Sequence, residues 1–306
     1  MSSLHTQRVT TRTLVAAAMV LPLVLSACSR SDDKPGEGRR AVIQNKGSDT
    51  LVNVAQAWAE NYKDVNPSVA IAVTGGGSGT GISSLINGTV DIANSSRKIK
   101  EKESKAAQAN NVKPVELIVG YDALAVFIHP SNPMNEISLS MLADIYGEGG
   151  PVDNWSQIGI TIPGCPSDEI VRVSRQNNSG TYVYFKNAAL GKKRDYKLGS
   201  RDMHGSKDVV DLVENTPCAI GYSGVAYKTD HVKVPCVSRQ EGGACVLPSV
   251  ETAIDQSYPV ARPLFMYTAG APTGTTKDYL DWLMSNDGQC ILEKKGYAPA
   301  IKANCS

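Results

Sequence analysis

Residues 69–86, VAIAVTGGGSGTGISSLI, pass from an apolar run through a glycine-rich turn into a helix-forming segment. The run at 69–73 has the length and the valine and isoleucine content of a buried strand. The same order of strand, turn and helix recurs along the chain, from a strand at 41–43 to a helix at 289–295. This alternation predicts an α/β fold with mainly parallel sheets and flanking helices.

Two lobes are expected, because 306 residues exceed what one ordinary core accommodates. A continuous apolar run at 123–128 leads out of the first strand–helix region, and a second at 259–268 leads back. We therefore predict discontinuous lobes joined by a two-strand hinge: lobe I of residues 41–128 plus 257–306, and lobe II of residues 129–256.

Charge excludes several classes of function. The chain has 31 Lys and Arg residues against 30 Asp and Glu residues, whereas nucleic-acid proteins and polybasic membrane binders need a clustered positive surface. Beyond the N-terminus no apolar run has the length of a membrane span.

The N-terminal residues predict export. Arg8 and Arg12 precede a short apolar stretch at 13–25, which indicates a signal peptide over residues 1–27. The following Leu-Ser-Ala-Cys at 25–28 resembles the lipobox of bacterial lipoproteins, which implies a lipid on Cys28; the alternative is an ordinary signal peptide with a stray cysteine. Residues 28–40 are expected to be a flexible tether.

Six further cysteines behind a signal peptide indicate disulfides. Sequence does not choose among their possible pairings, and sequential pairing is the simplest hypothesis: Cys165–Cys218, Cys236–Cys245 and Cys290–Cys305. A metal site is not expected, because no pair has C-x-x-C spacing and no histidine lies nearby.

Three loops share one chemistry. Residues 47–50 (Gly-Ser-Asp-Thr), 75–81 and 175–181 each combine small or hydroxyl residues with the start of a helix. Free backbone N–H groups at such helix starts bind anions, and glycine permits close approach. Plain caps and turns are the alternative for any one loop. The candidate ligands are Ser48, Thr50, Ser78, Ser179, Thr181 and Arg175. Arg175 is expected to be the only formal positive charge among them.

With Asp-Ile-Ala-Asn-Ser-Ser-Arg at 91–97 and Tyr-Asp-Ala-Leu-Ala-Val at 121–126, these loops resemble the phosphate-binding proteins of bacterial ABC phosphate importers. The resemblance implies a two-lobed periplasmic-binding-protein-like fold that closes on inorganic phosphate, without catalysis or a cofactor. It also implies delivery to an ABC permease and its ATPase. We expect a monomer in the periplasm or cell envelope, attached to the membrane through its lipid only and binding no nucleic acid.

The resemblance also implies which residues of this chain contact the ligand. The family's contacts fall on matching positions of this chain: Asp49, Thr50, Ser78, Arg175, Ser179, Gly180 and Thr181. Ser48, Gly79 and Ser96 complete our candidate set. Several family members have a carboxylate at the position of Ser96, where it accepts the proton of bound phosphate; here Asp49 would be the substitute acceptor, or else a helix N-cap.

Other functions stay open at this stage. The site would also suit another tetrahedral oxyanion, such as sulfate, molybdate or arsenate. A secreted phosphoesterase or serine hydrolase using Ser78 or Ser179 needs a general base, yet His129, His204 and His231 lie outside the three loops. An adhesin or signalling protein that retained the fold is a further alternative. Arg97 is expected to form an exposed salt bridge.

Overall fold

The computed structural model describes residues 40–305. The predicted signal peptide, Cys28 with its predicted lipid, and the predicted tether up to residue 39 lie outside the described residues. Within residues 40–305, no helix combines the length and apolar character needed to cross a bilayer.

Strands and helices alternate along most of the described chain. The strands are β1 Ala41–Gly47, β2 Val69–Thr74, β3 Ile92–Ser95, β4 Val115–Ile128, β5 Glu136–Ser138, β6 Val171–Arg175, β7 Arg201–Met203, β8 Ala219–Gly224, β9 Cys236–Ser238, β10 Cys245–Val246, β11 Ala261–Thr268 and β12 Ala298–Pro299. The α-helices are α1 Val52–Val65, α2 Ser78–Ile86, α3 Glu101–Ala109, α4 Leu139–Tyr146, α5 Gly180–Phe185, α6 Ser206–Glu214, α7 Val250–Ile254, α8 Gly274–Leu283 and α9 Asn286–Lys294.

The large sheet has the strand order β2-β1-β3-β11-β4-β8-β6-β7, with β12 paired to β4. Pairing is parallel at both ends, where β1 joins β2 and β3 and where β6 joins β7 and β8. Pairing is antiparallel in the middle, where β11 joins β3 and β4, and β4 joins β8. The parallel groups are the sheets of the two lobes; β4 passes from one to the other, and the chain returns to the first just before β11.

Strand β4 is continuous, whereas the sequence predicts separate strands at 115–119 and 123–128. Its first part pairs with β11 and its last part, from Leu124 onward, pairs with β8. Gly120 lets β12 and α9 pack closely on this strand, because a Cβ there would collide with the Ala298 carbonyl and the Leu292 side chain. Near the change of partner, the Leu124 amide donates to the Val260 carbonyl at 3.1 Å, which ties the two connecting strands together.

Each lobe has its own apolar core. Apolar residues spaced at i, i+3 and i+7 from Leu51 predict one buried helix face, and the structure buries Leu51, just before α1, with Val54 and Trp58 against β-strands and α8 of the first lobe. A separate cluster around Trp155 and Tyr222 fills the second lobe. Because each sheet is covered by its own packed helices, the three glycine- and hydroxyl-rich loops are held at fixed positions between the cores.

Three disulfides cross-link the described chain. They join Cys165 to Cys218, Cys236 to Cys245 and Cys290 to Cys305, which is the sequential pairing. The third attaches the C-terminal segment to α9, and the first fixes the loop before β6 to the residue preceding β8.

Candidate anion-binding site

Five hydroxyl side chains from the two lobes are buried next to one another at the carboxyl ends of the parallel strands. They are Ser48, Thr50, Ser78, Ser96 and Thr181, which we call the hydroxyl cluster; each is at most 1% exposed. Ser48 Oγ donates to Ser96 Oγ at 2.9 Å, and Thr50 Oγ1 lies 3.0 Å from Thr181 Oγ1 of the other lobe. Hydroxyl groups both donate and accept, so this cluster can reorient toward a small polar guest.

The loops follow directly from the local sequence. A 3-10 turn at Asp49–Leu51 precedes α1, α2 begins at Ser78, and α5 begins at Gly180. The Ser179 hydroxyl accepts from the backbone N–H groups of Thr181 and Tyr182, so it caps α5. As a hydroxyl it retains one proton to donate elsewhere.

Gly180 brings α5 into contact with the first lobe. A Cβ at this residue would collide with the hydroxyl oxygens of both Ser78 and Ser96. Ser96 is fixed in turn by its amide, which donates to Ser78 Oγ at 3.0 Å. Only glycine therefore lets the helix start of the second lobe approach the hydroxyls of the first.

Backbone groups join the lobes on one side of the hydroxyl cluster. The Gly79 amide donates to the Asn178 carbonyl at 2.9 Å, and Asn178 Nδ2 donates to the Gly76 carbonyl at 2.9 Å. Gly77, which stands between them with φ +87°, would place a Cβ against the Asn178 backbone. The glycine-rich loop of the first lobe thus lies directly on the loop that precedes α5.

Arg175 is fully buried and belongs to the contact between lobes. Its Nη2 donates to Asp49 Oδ2 at 2.9 Å, its Nη1 donates to Ser206 Oγ at 3.0 Å, and the carbonyls of Met203 and His204 also accept from it. Burial lowers the pKa of Arg175, while the Asp49 carboxylate opposes this. A guanidinium stays charged at neutral pH even so.

Asp49 has both carboxylate oxygens engaged by protein donors. Oδ2 accepts from Arg175, and Oδ1 accepts from the Gly76 amide at 2.8 Å. The carboxylate therefore caps no helix; instead it holds the glycine-rich loop and the guanidinium of the other lobe at the same time.

A second buried guanidinium lies at the hydroxyl cluster, which the sequence interpretation missed. Arg262 Nη2 is 3.1 Å from Thr50 Oγ1 and 3.1 Å from Thr181 Oγ1, so it reaches both lobes. The expectation that Arg175 is the only formal positive charge of the site is wrong. Arg262 was overlooked because it lies in an apolar strand, β11, remote in sequence from the three loops.

The counterion of Arg262 is Asp122 on the neighbouring strand β4. Asp122 Oδ2 accepts from Arg262 Nη2 at 2.7 Å and from Nε at 3.0 Å, and both side chains are fully buried. Burial raises the pKa of Asp122, and the Arg262 charge opposes that rise. A charged residue in an otherwise apolar strand needs a buried partner of opposite charge. Arg262 and Asp122 each lie in such a strand, and this is the sequence signal from which the pair could have been predicted.

Arg97 lies beside the site and is held by a carboxylate. It makes two bonds to Glu103, of 2.7 and 2.8 Å, and the expected salt bridge is therefore present. It is buried instead of exposed, with Arg97 only 6% accessible. The reason is that α3 begins nearby, at Glu101, and its Glu103 holds the Arg97 side chain against the protein.

All ten candidate residues converge. They are Ser48, Asp49, Thr50, Ser78, Gly79, Ser96, Arg175, Ser179, Gly180 and Thr181. The arrangement offers hydroxyl donors, helix N-termini and the Arg262 guanidinium in a place sheltered from water, where such donors interact strongly with an anion. Arg175 is occupied by protein acceptors and shapes the site by joining the lobes.

Comparisons with known proteins agree with this geometry. Residues 33–287 match the family model described as the PBP superfamily domain. The phosphate-binding protein PstS of Pseudomonas aeruginosa is 35% identical over 84% of this chain and 82% of its own length. That of Bacillus subtilis is 31% identical over 94% of this chain and 92% of its own.

Solved structures give the same result. A Clostridium perfringens protein, crystallised with bound phosphate and assigned to the phosphate ABC transporter substrate-binding proteins, aligns with a TM-score of 0.75 at 28% identity. The alignment covers 85% of this chain and all of that one. An ABC-type phosphate transport receptor from Vibrio cholerae aligns with a TM-score of 0.65 at 25% identity, covering 84% of this chain and 99% of that one.

The architecture of two lobes with a site at their junction is that of the substrate-binding proteins, and the predicted periplasmic-binding-protein-like fold is confirmed. Within that class, the chain belongs to the family of phosphate-binding substrate-binding proteins.

Proposed function

We propose that this chain is an extracytoplasmic lipoprotein receptor that binds inorganic phosphate between its lobes and delivers it to an ABC importer. The observation that carries the proposal is the hydroxyl cluster with Arg262 at its centre, built from both lobes in a chain whose relatives are phosphate-binding proteins.

The ligand set supports a tetrahedral oxyanion. Hydroxyl protons and backbone N–H groups donate to oxyanion oxygens, and Arg262 adds a charge-assisted bond of about 1.5–3 kcal/mol. A receptor working at micromolar ligand needs about 8 kcal/mol. The Arg262 bond alone is too weak, so the hydroxyl and backbone donors must supply the remainder together with it. Arg175 and Asp49 contribute by holding the two lobes in register.

Phosphate differs from sulfate in carrying a proton near neutral pH, and that proton needs an acceptor. Both oxygens of Asp49 are engaged by Arg175 and Gly76, and Oδ2 of Asp122 by Arg262. We propose that the acceptor is a hydroxyl, for which Ser96 is the first candidate because the resembled family includes members with a carboxylate at its position. The carboxylate alternative is Asp122 Oδ1, which is buried without a hydrogen-bond partner. A hydroxyl both donates and accepts, so discrimination against sulfate through Ser96 is expected to be modest.

The same contacts support a binding role over catalysis. The side chain of His129 contacts Ser131 and that of His204 contacts Gln176. In residues 40–305 neither Ser78 nor Ser179 has a hydrogen bond to a histidine or carboxylate that would serve as its general base.

Movement is proposed at the connecting strands. With lobe I as residues 41–128 plus 257–306 and lobe II as residues 129–256, the chain crosses between the lobes at the end of β4 and shortly before β11, and these two crossings can flex to open the cleft. The contacts between Asp49 and Arg175 and between Gly79 and Asn178 would break on opening.

Calorimetry of the ligand-stripped protein against phosphate, sulfate, molybdate and arsenate tests the proposal. We expect one site per chain for phosphate, equal affinity in Arg40→Gln, and loss in Arg262→Gln. Arg40 is an exposed matched control at the opposite end of β1. If sulfate or molybdate binds most tightly, the site belongs to another oxyanion. If none of the four anions binds, the proposed function is wrong.

A further inference from the structure

A polar cavity opens between the lobes beside the hydroxyl cluster. Its volume is about 550 Å³, several times that of a tetrahedral oxyanion. Gly79 and Asn178, which are hydrogen-bonded across the lobes, form the wall that it shares with the hydroxyl cluster. We call it the outer cavity.

The lining of the outer cavity is strongly positive. Four of its side chains are cationic, namely Arg97, Lys100, Lys102 and Lys186, and Glu103 is the one carboxylate among the lining residues. That carboxylate is already used: it accepts two bonds from Arg97 and one from the Lys100 amide.

Part of this charge has no partner in the protein. Among the described residues, the ammonium groups of Lys100 and Lys102 form no salt bridge. Arg97 is 6% exposed, and its Nε has no hydrogen-bond acceptor. A buried N–H group without an acceptor is costly, so the cavity presents donors that a ligand would satisfy.

The positive charges act on one another. Burial lowers the pKa of Lys100, and the charges of Arg97, Lys102 and Lys186 lower it further against the opposing effect of Glu103. This agrees with a local excess of positive charge that a bound anion would relieve.

The lining also spans both lobes. Lys100 and Lys102 lie at the start of α3 in the first lobe, whereas Lys186 follows α5 in the second and is paired at the surface with Asp195. A ligand that contacts both sides needs several charges along its length. Condensed phosphates have this property, since each phosphoryl unit carries negative charge.

We propose that the outer cavity is a second anion site, distinct from the hydroxyl cluster, that takes a condensed phosphate chain bridging the two lobes. This second site goes beyond the proposed function, and the geometry of the outer cavity does not depend on which anion occupies the hydroxyl cluster. A ligand in it holds the lobes together, because Lys100 and Lys186 are then bound to one molecule.

The test is calorimetric titration of tripolyphosphate, without magnesium, into protein carrying one equivalent of orthophosphate. We expect saturable one-to-one binding, with orthophosphate retained as shown by radiolabel. The double variant Lys100→Gln with Lys102→Gln should lower the affinity for tripolyphosphate at least about tenfold and leave the affinity for orthophosphate unchanged. Lys105→Gln/Lys113→Gln removes the same charge from exposed positions outside the cavity and should have little effect.

Other outcomes overturn the proposal: no tripolyphosphate binding, displacement of orthophosphate, or equal losses in the two double variants. A parallel titration with ATP distinguishes a free polyphosphate from a nucleotide as the source of the chain. If orthophosphate fails to bind, the proposed function is wrong. The tripolyphosphate titration of the same protein still shows whether the outer cavity binds a condensed phosphate.

Discussion

The carboxylate of Asp49 and the guanidinium of Arg175 are 2.9 Å apart and belong to different lobes. Neither group is free: Asp49 also accepts from Gly76, and Arg175 also donates to Ser206 and two carbonyls. This ion pair is therefore a link between the lobes at the edge of the binding site, and it gives Asp49 a different role from that of a ligand-proton acceptor.

Asp49→Asn is expected to lower the affinities for phosphate and for sulfate equally, at least about tenfold. The reason is that loss of one partner of this buried pair destabilises the closed arrangement of the lobes, whichever anion is bound. Calorimetry at neutral pH with both anions measures this. Asp211→Asn, which removes a carboxylate from an exposed pair with Lys207, is the control. A loss confined to phosphate would instead identify Asp49 as the proton acceptor.

Arg262→Gln is expected to lower phosphate affinity at least about tenfold. It should also cost about 3–5 kcal/mol of unfolding free energy, because Asp122 is left as an unpaired buried charge. Urea unfolding and calorimetry on the same sample separate the two effects. Adding Asp122→Asn should restore much of the stability without restoring affinity; recovery of affinity as well would show that Arg262 serves the fold alone.

Gly180→Ala is expected to abolish high-affinity binding, since the added methyl group would fall on the hydroxyls of Ser78 and Ser96. Stability should change little, because the lobes can separate to accommodate the methyl group. Gly270→Ala is the matched control, because its methyl group would have no atom within 4 Å and its backbone is not left-handed. Undiminished binding in Gly180→Ala would mean that the loops do not close on the ligand as described.

The Arg97–Glu103 pair gives a dependence of stability on pH. Burial raises the pKa of Glu103, but the hydrogen bonds from Arg97 and the Lys100 amide outweigh it, and the net pKa is lowered. A carboxyl with a lowered pKa in the folded state stabilises the fold above its unfolded pKa, about 4.3, and loses that contribution as the pH falls through the folded value.

Glu103→Gln should therefore reduce the free energy of unfolding at pH 7, and the difference from the unsubstituted protein should disappear in strong acid. Chemical unfolding across this pH range measures it. Glu101→Gln, two residues away in an exposed pair with Lys105, should show little difference at any pH. A deficit for Glu103→Gln that persists unchanged in acid would contradict an electrostatic origin.

The sequence predicts the loops of the site better than its interior charges. Each loop follows a recognisable strand and starts a helix, so Ser48, Ser78 and Thr181 are found from local pattern alone. That Asp49 would bind Arg175 depends on how two lobes meet, which local pattern does not specify. Arg262 is hidden in an apolar strand, and its position opposite Asp122 follows from the pairing of β11 with β4.

The same limit applies to the fold. The helical spacing of Leu51, Val54, Ala55, Trp58 and Tyr62 predicts one buried face, and all five are buried, since that pattern is local. The run of β4 through both parts of the sheet depends on partners far away in the sequence, β11 for its first part and β8 for its last. The antiparallel centre of the sheet likewise depends on the strands that pass between the lobes.

The most direct measurement is a crystal structure of the protein with stoichiometric arsenate, whose anomalous scattering locates a tetrahedral oxyanion without ambiguity. We predict one strong peak among Thr50, Ser96 and Thr181, within hydrogen-bonding distance of the Arg262 guanidinium. A peak found only elsewhere, whether in the outer cavity or on the surface, would contradict binding at the hydroxyl cluster.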